Sequence, residues 1–297
     1  MKSGILRRLL RGAVLCTLAG LIAFFVSRTV LHPLDTLNWL SGTANPREAD
    51  IVYGDLARQS LDVYQPSEPR KVPAPVVVFF YGGGWGSGER GDYRFVGQFL
   101  AARGFTVVIP DYRVGREGVF PAFLEDGAKA LRWTQDHIAE RGGDPQNIFL
   151  MGHSAGAYNA MMLALDRRYG AAAGFDATRI RGVVGLAGPY DFKLVNGNLQ
   201  RVFGAAPDLR ETQPVNFVGP GAPPVLLITG DADDTVNPRN SRSLAQHLEA
   251  AQVPVTLRIL PEGGHVGVLL RLSPWYPSST VRDAVIRFLE QPAAVAP

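Results

Sequence analysis

The pentapeptide Gly152-His153-Ser154-Ala155-Gly156 constrains the fold more than any other feature of this chain. An apolar run that ends at Met151 leads into it, and a helical pattern of small residues follows it. Glycines two residues before and after the serine let a strand and a helix approach each other closely at a sharp turn. The pattern predicts a strand, a strained turn and a helix, with Ser154 as a candidate nucleophile. The alternative is a buried serine in an ordinary strand-to-helix loop.

Strand and helix patterns alternate along most of the remaining sequence. A continuous β-branched and aromatic run at residues 76–81 is typical of a buried parallel strand. Further strands are predicted at residues 106–110, 148–151, 182–186, 224–229 and 255–260, and helices at 93–103, 121–141, 155–166, 241–251 and 281–290. A short strand pair is predicted at 49–53 and 60–64. This order predicts an α/β fold, with a mostly parallel central sheet and helices on both faces.

The N-terminal segment differs from the rest of the chain. A basic stretch at residues 2–11 precedes a charge-free apolar run at residues 13–26. This order predicts an N-terminal hydrophobic helix, with residues 1–34 acting as an uncleaved signal-anchor or a signal peptide. A buried N-terminal helix is the alternative. Because positive charge stays on the cytoplasmic side, the catalytic domain is expected on the outer, periplasmic face or exported. We expect a linker at residues 35–48 and one catalytic domain at 49–297.

The charge distribution argues against a nucleic-acid partner. The chain has a net charge of +3, but five positive charges and no negative one precede Pro33, so the remainder carries −2. The only cysteine, Cys16, lies in the N-terminal apolar run. The folded domain therefore offers no cysteine nucleophile and no cysteine-based metal site. We expect no metal and no cofactor, and a small molecule as the partner.

A serine nucleophile needs a base, which is usually a histidine. The five histidines can be considered one by one. His265 lies in a glycine loop directly after the last predicted strand, from which an imidazole can reach across the strand ends. The others lie in the N-terminal segment (His32), in predicted helices (His137, His247), or beside Ser154 with a side chain expected to point away from it (His153). The sequence therefore indicates His265 as the base.

Several carboxylates could orient this base. Asp191, Asp231, Asp233 and Asp234 all lie at the ends of predicted strands between Ser154 and His265. In parallel sheets, ligand and catalytic sites lie at the carboxyl ends of strands. The spacing of these four residues does not by itself separate them.

Three consecutive glycines, residues 82–84, follow the first strong strand. Without Cβ atoms they let backbone N–H groups approach a substrate oxygen, as an oxyanion hole requires. The N–H group of Ala155, directly after the nucleophile, is expected to be a further donor. Trp85 follows the glycines and is expected to line the substrate pocket. A flexible turn or an anion-binding nest is the alternative.

Taken together, these motifs resemble the α/β-hydrolase superfamily, in particular the carboxylesterase/lipase group related to hormone-sensitive lipase and kynurenine formamidase. The resemblance extends from about Ile51 to the C-terminus, and its carriers are the sequences at residues 61–64, 81–85, 110–113, 143–145, 152–156, 230–236 and 264–265. The acid motif G-x-x-D-x-x-V, aligned on Gly230 and Val236, implies Asp233 as the orienting carboxylate. The resemblance also implies Gly83 and Gly84 as the oxyanion donors. Tyr81 departs from the histidine that most relatives carry.

The resemblance implies a serine hydrolase that cleaves short-acyl carboxylic esters through a Ser154–His265–Asp233 triad and an acyl-enzyme. An arylformamidase acting on an N-formylkynurenine-type amide and a non-catalytic ligand-binding relative are the alternatives. Asp111 and Arg113 match a family loop and are interpreted as a structural ion pair or loop clamp. Residues 193–220 show no strong periodicity and are expected to form either a lid or substrate-contact segment, or a plain surface loop.

Overall fold

The computed structural model describes residues 33–42, 47–68 and 71–291. The predicted N-terminal hydrophobic helix lies outside these residues. Across the described ranges, no helix combines the length and the apolar character that a membrane span needs.

An eight-stranded sheet forms the centre of the described part of the chain. Its strands are β1 (Arg47–Val52), β2 (Ser60–Tyr64), β3 (Ala74–Phe80), β4 (Thr106–Pro110), β5 (Gly143–His153), β6 (Ile180–Leu186), β7 (Val225–Gly230) and β8 (Val255–Leu260). They lie side by side in the order β1-β2-β4-β3-β5-β6-β7-β8. β2 pairs antiparallel with both β1 and β4, and every other neighbouring pair is parallel. The predicted mostly parallel sheet is confirmed.

Helices connect the parallel strands. The α-helices of the described ranges are α1 (Pro33–Ser41), α2 (Arg94–Ala101), α3 (Ala122–His137), α4 (Ala155–Leu165), α5 (Arg167–Ala173), α6 (Gly197–Phe203), α7 (Arg239–Ala250), α8 (His265–Leu270) and α9 (Thr280–Leu289). Short 3-10 helices lie at Arg90–Tyr93, Ile138–Arg141, Ala177–Arg179, Leu209–Thr212 and Pro214–Phe217. All residues of β4 and β7 are buried, so both faces of the sheet are covered there.

Part of the segment predicted as a linker, residues 35–48, has regular secondary structure. Helix α1 occupies Pro33–Ser41, and strand β1 already begins at Arg47. Asn38 ties α1 to the domain, because its Oδ1 accepts the Phe95 N–H at 2.9 Å and its Nδ2 donates to the Gly91 carbonyl at 3.0 Å. These contacts join residues more than 50 positions apart, so the local composition, rich in proline and small polar residues, did not reveal them.

The predicted long helix at residues 121–141 is α3 followed by the 3-10 turn Ile138–Arg141. Phe123, Ala128, Leu131 and Ile138 are buried as expected, whereas Trp133 is only partly buried. Its ring lies 5.1 Å from the Arg141 guanidinium, at the end of the helix near solvent. The helix face that packs on the domain is therefore narrower than the sequence pattern suggested.

Candidate active site

The Ser154 turn has the geometry that its glycines predict. β5 ends at His153 and α4 begins at Ala155, and Ser154 between them has a φ of 55°. A non-glycine residue in this region is strained. A Cβ at Gly156 would lie 2.0 Å from the Phe80 carbonyl oxygen. The chain can therefore make this turn only with glycine at that position, and Ser154 stays partly exposed at the top of the sheet.

Ser154, His265 and Asp233 lie together at the carboxyl ends of β5, β8 and β7. The His265 Nε2 atom is 2.8 Å from Ser154 Oγ, and its Nδ1 atom is 2.8 Å from Asp233 Oδ2. His265 starts helix α8 directly after the glycine loop that follows β8. The three residues form a continuous hydrogen-bonded chain from a hydroxyl to a buried carboxylate.

The Asp233 carboxylate is fully buried, yet it is well provided with donors. Burial raises its pKa, but the hydrogen bond from His265 and those from the N–H groups of Val236 and Thr235 oppose this effect, and the net pKa is below the ordinary value of 3.8. The two backbone bonds to Oδ1 are 2.8 and 3.0 Å long. Asp233 is therefore held as an anion in a fixed orientation toward His265.

The other three carboxylates considered from the sequence do not contact His265. Asp231 and Asp234 are exposed. Asp191 accepts a hydrogen bond from Ser243 at 2.7 Å and lies 3.7 Å from the Arg239 guanidinium. Tertiary structure thus separates four aspartates that the spacing alone left open.

The glycine loop after β3 lies directly beside Ser154. Gly83, Gly84 and Trp85 have φ values of 123°, 59° and 56°, a left-handed path that favours glycine. A Cβ at Gly82 would lie 3.2 Å from the Ser154 Cβ atom. Within residues 33–42, 47–68 and 71–291, the N–H groups of Gly83, Gly84 and Ala155 donate no hydrogen bond to the protein. These donors are thus available to a ligand next to Ser154.

A charged network fixes the glycine loop from behind. The Tyr81 hydroxyl donates to Asp111 at 2.7 Å and accepts from Arg58 at 2.8 Å. Arg58 also donates to the Gly88 carbonyl at the far end of the loop, and Arg90 forms an ion pair with Asp111. Tyr81 therefore takes part in a network that holds both ends of the loop, where most relatives are expected to have histidine.

Asp111 and Arg113 do not pair with each other. Asp111 belongs to the network behind the glycine loop, whereas Arg113 pairs with Asp126 at 2.9 Å and with Glu125 at 3.0 Å. The two residues thus belong to separate ion-pair networks, and neither contacts Ser154 or His265.

A cavity of about 370 Å³ opens beside Ser154. Trp85 borders it, but only 2% of this residue is exposed. The indole packs against Phe203 and Tyr158, with ring centroids 5.0 and 5.2 Å away, and its Nε1 donates to Asn159 at 3.0 Å. An aromatic cluster therefore closes the cavity behind Trp85. A larger groove, of about 690 Å³, lies between α3, α5 and residues 205–211, and Ser154 does not line it.

The segment 193–220 is a folded cover rather than a plain surface loop. It contains α6 and two 3-10 turns, and its Phe203 is buried in the aromatic cluster. The Asn198 side chain donates to the Gly84 carbonyl at 3.0 Å, and Leu199 lines the cavity. The segment thus contacts the cavity beside Ser154, which favours the first of its two alternatives.

His153 contributes to the site in a way that the sequence did not indicate. Its ring centroid lies 4.8 Å from that of His265, and its Nε2 atom lies 3.1 Å from the His265 carbonyl oxygen. His153 as a whole is 4% exposed. Burial, together with the nearby His265, lowers its pKa from 6.5 to about 3. His153 is thus a neutral imidazole that donates from Nε2 to the loop of His265.

Comparison with known proteins assigns the family. A family model described as BD-FAE matches residues 61–248, more than half of the chain. The chain belongs to the BD-FAE family. This assignment confirms the predicted resemblance to α/β-hydrolase carboxylesterases.

Two relatives of this BD-FAE chain illustrate the similarity in sequence. It is 30% identical over 245 residues to the isoprenylcysteine alpha-carbonyl methylesterase ICME of Arabidopsis thaliana, covering 74% of this chain and 57% of that one. It is 31% identical over 262 residues to esterase LipC of Mycobacterium tuberculosis, covering 81% and 64%. The chain thus spans less than two thirds of the length of either relative.

Solved structures show the same fold. Esterase B from Lactobacillus Rhamnosis superposes with a TM-score of 0.75 at 21% identity, covering 93% of this chain and 94% of that one. A truncated carbohydrate esterase from gut microbiota gives a TM-score of 0.71 at 22% identity, covering 84% and 96%. The BD-FAE chain therefore has the α/β-hydrolase fold.

Proposed function

We propose that this chain is a serine carboxylesterase acting on esters with a short acyl group. The observation that carries the proposal is the hydrogen-bonded chain from Ser154 through His265 to Asp233, with two 2.8 Å distances. The relatives named esterase and methylesterase agree with this reaction class.

The hydrogen bonds support a separate role for each residue. Asp233 accepts the Nδ1–H of His265, which leaves Nε2 free to take the Ser154 proton as Oγ attacks the ester carbonyl. The protonated His265, stabilised by Asp233, then gives that proton to the departing alcohol. The acyl group remains on Ser154 until a water, deprotonated by His265, attacks it and releases the acid.

The donors for the developing oxyanion are proposed to be the N–H groups of Gly83, Gly84 and Ala155. They lie beside Ser154 and have no acceptor in the described part of the protein. Backbone donors fixed in advance stabilise the transition state because they need not reorganise as charge develops, and one such donor is worth about 10²–10³ in kcat.

The limit on acyl length is proposed to come from Trp85 and the aromatic rings behind it. The cavity of about 370 Å³ is at the small end of ligand pockets. Trp85 cannot move aside easily, because it packs on Phe203 and Tyr158 and its Nε1 is hydrogen-bonded. We therefore expect acetyl and butyryl esters to be cleaved better than long-chain esters.

Two measurements test this function. A fluorophosphonate probe should label the wild-type protein and leave Ser154→Ala unlabelled, and a series of p-nitrophenyl esters should show kcat/KM falling as the acyl chain lengthens. Failure to label would favour the non-catalytic ligand-binding alternative. Faster hydrolysis of N-formylkynurenine than of p-nitrophenyl acetate would favour the arylformamidase alternative.

We further propose that residues 1–34 direct the chain to the membrane, with the catalytic domain on the outer face or exported. The basic stretch followed by an apolar run supports this proposal. Fractionation of cells expressing the full chain tests it. Recovery in the soluble cytoplasmic fraction with an intact N-terminus would contradict it.

A further inference from the structure

The cavity beside Ser154 has several asparagines in its wall, and the protein itself uses their side chains. Asn198 holds the Gly84 carbonyl, and the Asn196 side chain caps helix α6. The Asn240 Oδ1 atom accepts two N–H groups of the loop after β6. The oxygens or amides of these side chains therefore hold the wall of the cavity in place.

Two cations and one carboxylate also line the cavity. They are Lys193, Arg239 and Asp191. The carboxylate accepts a hydrogen bond from Ser243 at 2.7 Å and lies 3.7 Å from the Arg239 guanidinium. In the part of the chain that the structure describes, the Lys193 ammonium has no hydrogen-bond or ion-pair partner. The charged side chains of the lining thus sum to a net charge of +1, and the unpaired Lys193 is exposed.

General basicity does not explain this surplus positive charge. Five of the positive charges precede Pro33, and the rest of the chain is net negative at −2. A cation that opens onto a binding cavity in a domain of opposite net charge creates a local positive potential. Such a potential selects and attracts a ligand of complementary charge.

The charged lining points to a substrate class: an ester that carries one carboxylate, in its acyl or its alcohol part, bound by Lys193, with Arg239 also lining the cavity. This inference rests on the proposed esterase function of Ser154. One surplus positive charge matches one negative charge. Because both cations are exposed, the attraction acts mainly on KM and is screened by salt.

Matched ester pairs test the inference. Monoethyl succinate carries the carboxylate on the acyl part, and ethyl 4-methylpentanoate replaces it with an isopropyl group of similar shape. In the other arm, 4-acetoxybenzoate carries the carboxylate on the alcohol part, and 4-isopropylphenyl acetate is its neutral counterpart. The ratio of kcat/KM within each pair, measured by pH-stat, is compared between proteins, so that differences in intrinsic reactivity cancel.

We expect the Lys193→Met variant to lower the anionic-to-neutral ratio about two- to fivefold in one arm, mainly through a higher KM for the charged ester. Lys193→Arg should retain most of the ratio. The wild-type preference should shrink in about 0.5 M NaCl, because salt screens exposed charges. Lys129→Met, which removes an exposed lysine of helix α3 away from this cavity, should leave the ratio unchanged.

The arm that responds to Lys193→Met identifies the part of the ester that carries the charge. An unchanged ratio in both arms, or an equal fall in Lys129→Met, would overturn the inference. If the neutral esters are still cleaved and the fluorophosphonate probe still labels Ser154, only the substrate class is wrong. If no ester is cleaved and no label is found, the proposed function has failed and the inference with it.

Discussion

Replacement of His153 by glutamine tests whether a buried neutral imidazole supports the loop of His265. The residue is 4% exposed, and burial beside His265 lowers its pKa from 6.5 to about 3. In the unfolded chain this histidine takes up a proton below about pH 6.5, whereas in the folded protein it stays neutral until about pH 3. The unfolded state therefore gains protons first, and stability is lost as the pH falls below 6.5.

The size of this loss follows from the two pKa values. Each pH unit between them costs about 1.4 kcal/mol, so a change from about pH 7.5 to about pH 5 removes about 2 kcal/mol through His153 alone. Asp233 does not contribute in this interval, because its pKa is already below 3.8 in the folded state. A glutamine at position 153 retains an amide N–H for the His265 carbonyl and does not titrate.

Urea unfolding of wild type and His153→Gln at both pH values measures the difference. We expect the wild-type free energy of unfolding to fall by about 2 kcal/mol more than that of the variant. His137→Gln, at an exposed helix position, should behave like wild type. Equal pH dependence in wild type and His153→Gln would refute the reasoning. If His153→Gln does not fold, NMR titration of the wild-type His153 ring tests the same point, and protonation above about pH 5 would contradict it.

Three further predictions concern the site. Asp233→Asn should lower kcat on a short ester by about 10³–10⁴, because His265 loses the carboxylate that fixes its tautomer. Asp231→Asn, a control at an exposed position, should stay within about twofold of the wild-type kcat. A large loss in Asp231→Asn and none in Asp233→Asn would identify Asp231 as the orienting carboxylate instead. Gly156→Ala should destabilise the fold by at least about 3 kcal/mol in thermal unfolding, because the added Cβ would lie 2.0 Å from the Phe80 carbonyl oxygen. At Gly197 an added Cβ would have no neighbouring atom within 4 Å, so Gly197→Ala should change the stability by less than about 0.5 kcal/mol. Tyr81→Phe removes two hydrogen bonds behind the glycine loop and should lower kcat about tenfold with little change in KM; a rise in KM alone would show that the loop position does not depend on this hydroxyl.

Ser154 and His265 could be identified from the sequence because the patterns that mark them lie in a few neighbouring residues. A glycine two residues on either side of Ser154 is a property of the turn itself, and His265 stands out because it follows the last strand in a glycine loop. Asp233 is a different case. Local spacing left four aspartates open, and only the family motif selected the one that lies 2.8 Å from His265.

The parts that were missed depend on contacts between distant residues. The hydrogen bond from His153 to the His265 carbonyl joins residues 112 positions apart, and the link from Asn38 to Phe95 joins residues 57 apart. A segment with a linker-like composition can still form a helix when a distant part of the chain offers such partners. The same reason explains why Asp111 and Arg113, two residues apart, belong to separate ion pairs.

The sequence by itself predicted the eight strands of the sheet, five of the helices (α2, α3, α4, α7 and α9), the strained turn at Ser154 and the family resemblance, because periodicity, glycine positions and motifs are local properties. The tertiary structure decided which aspartate meets His265, how Tyr81 holds the glycine loop, and that Lys193 and Arg239 share one cavity. The physical reason is that a parallel sheet gathers the ends of distant strands at one edge, so the neighbours of a catalytic group are set by strand order rather than by sequence spacing.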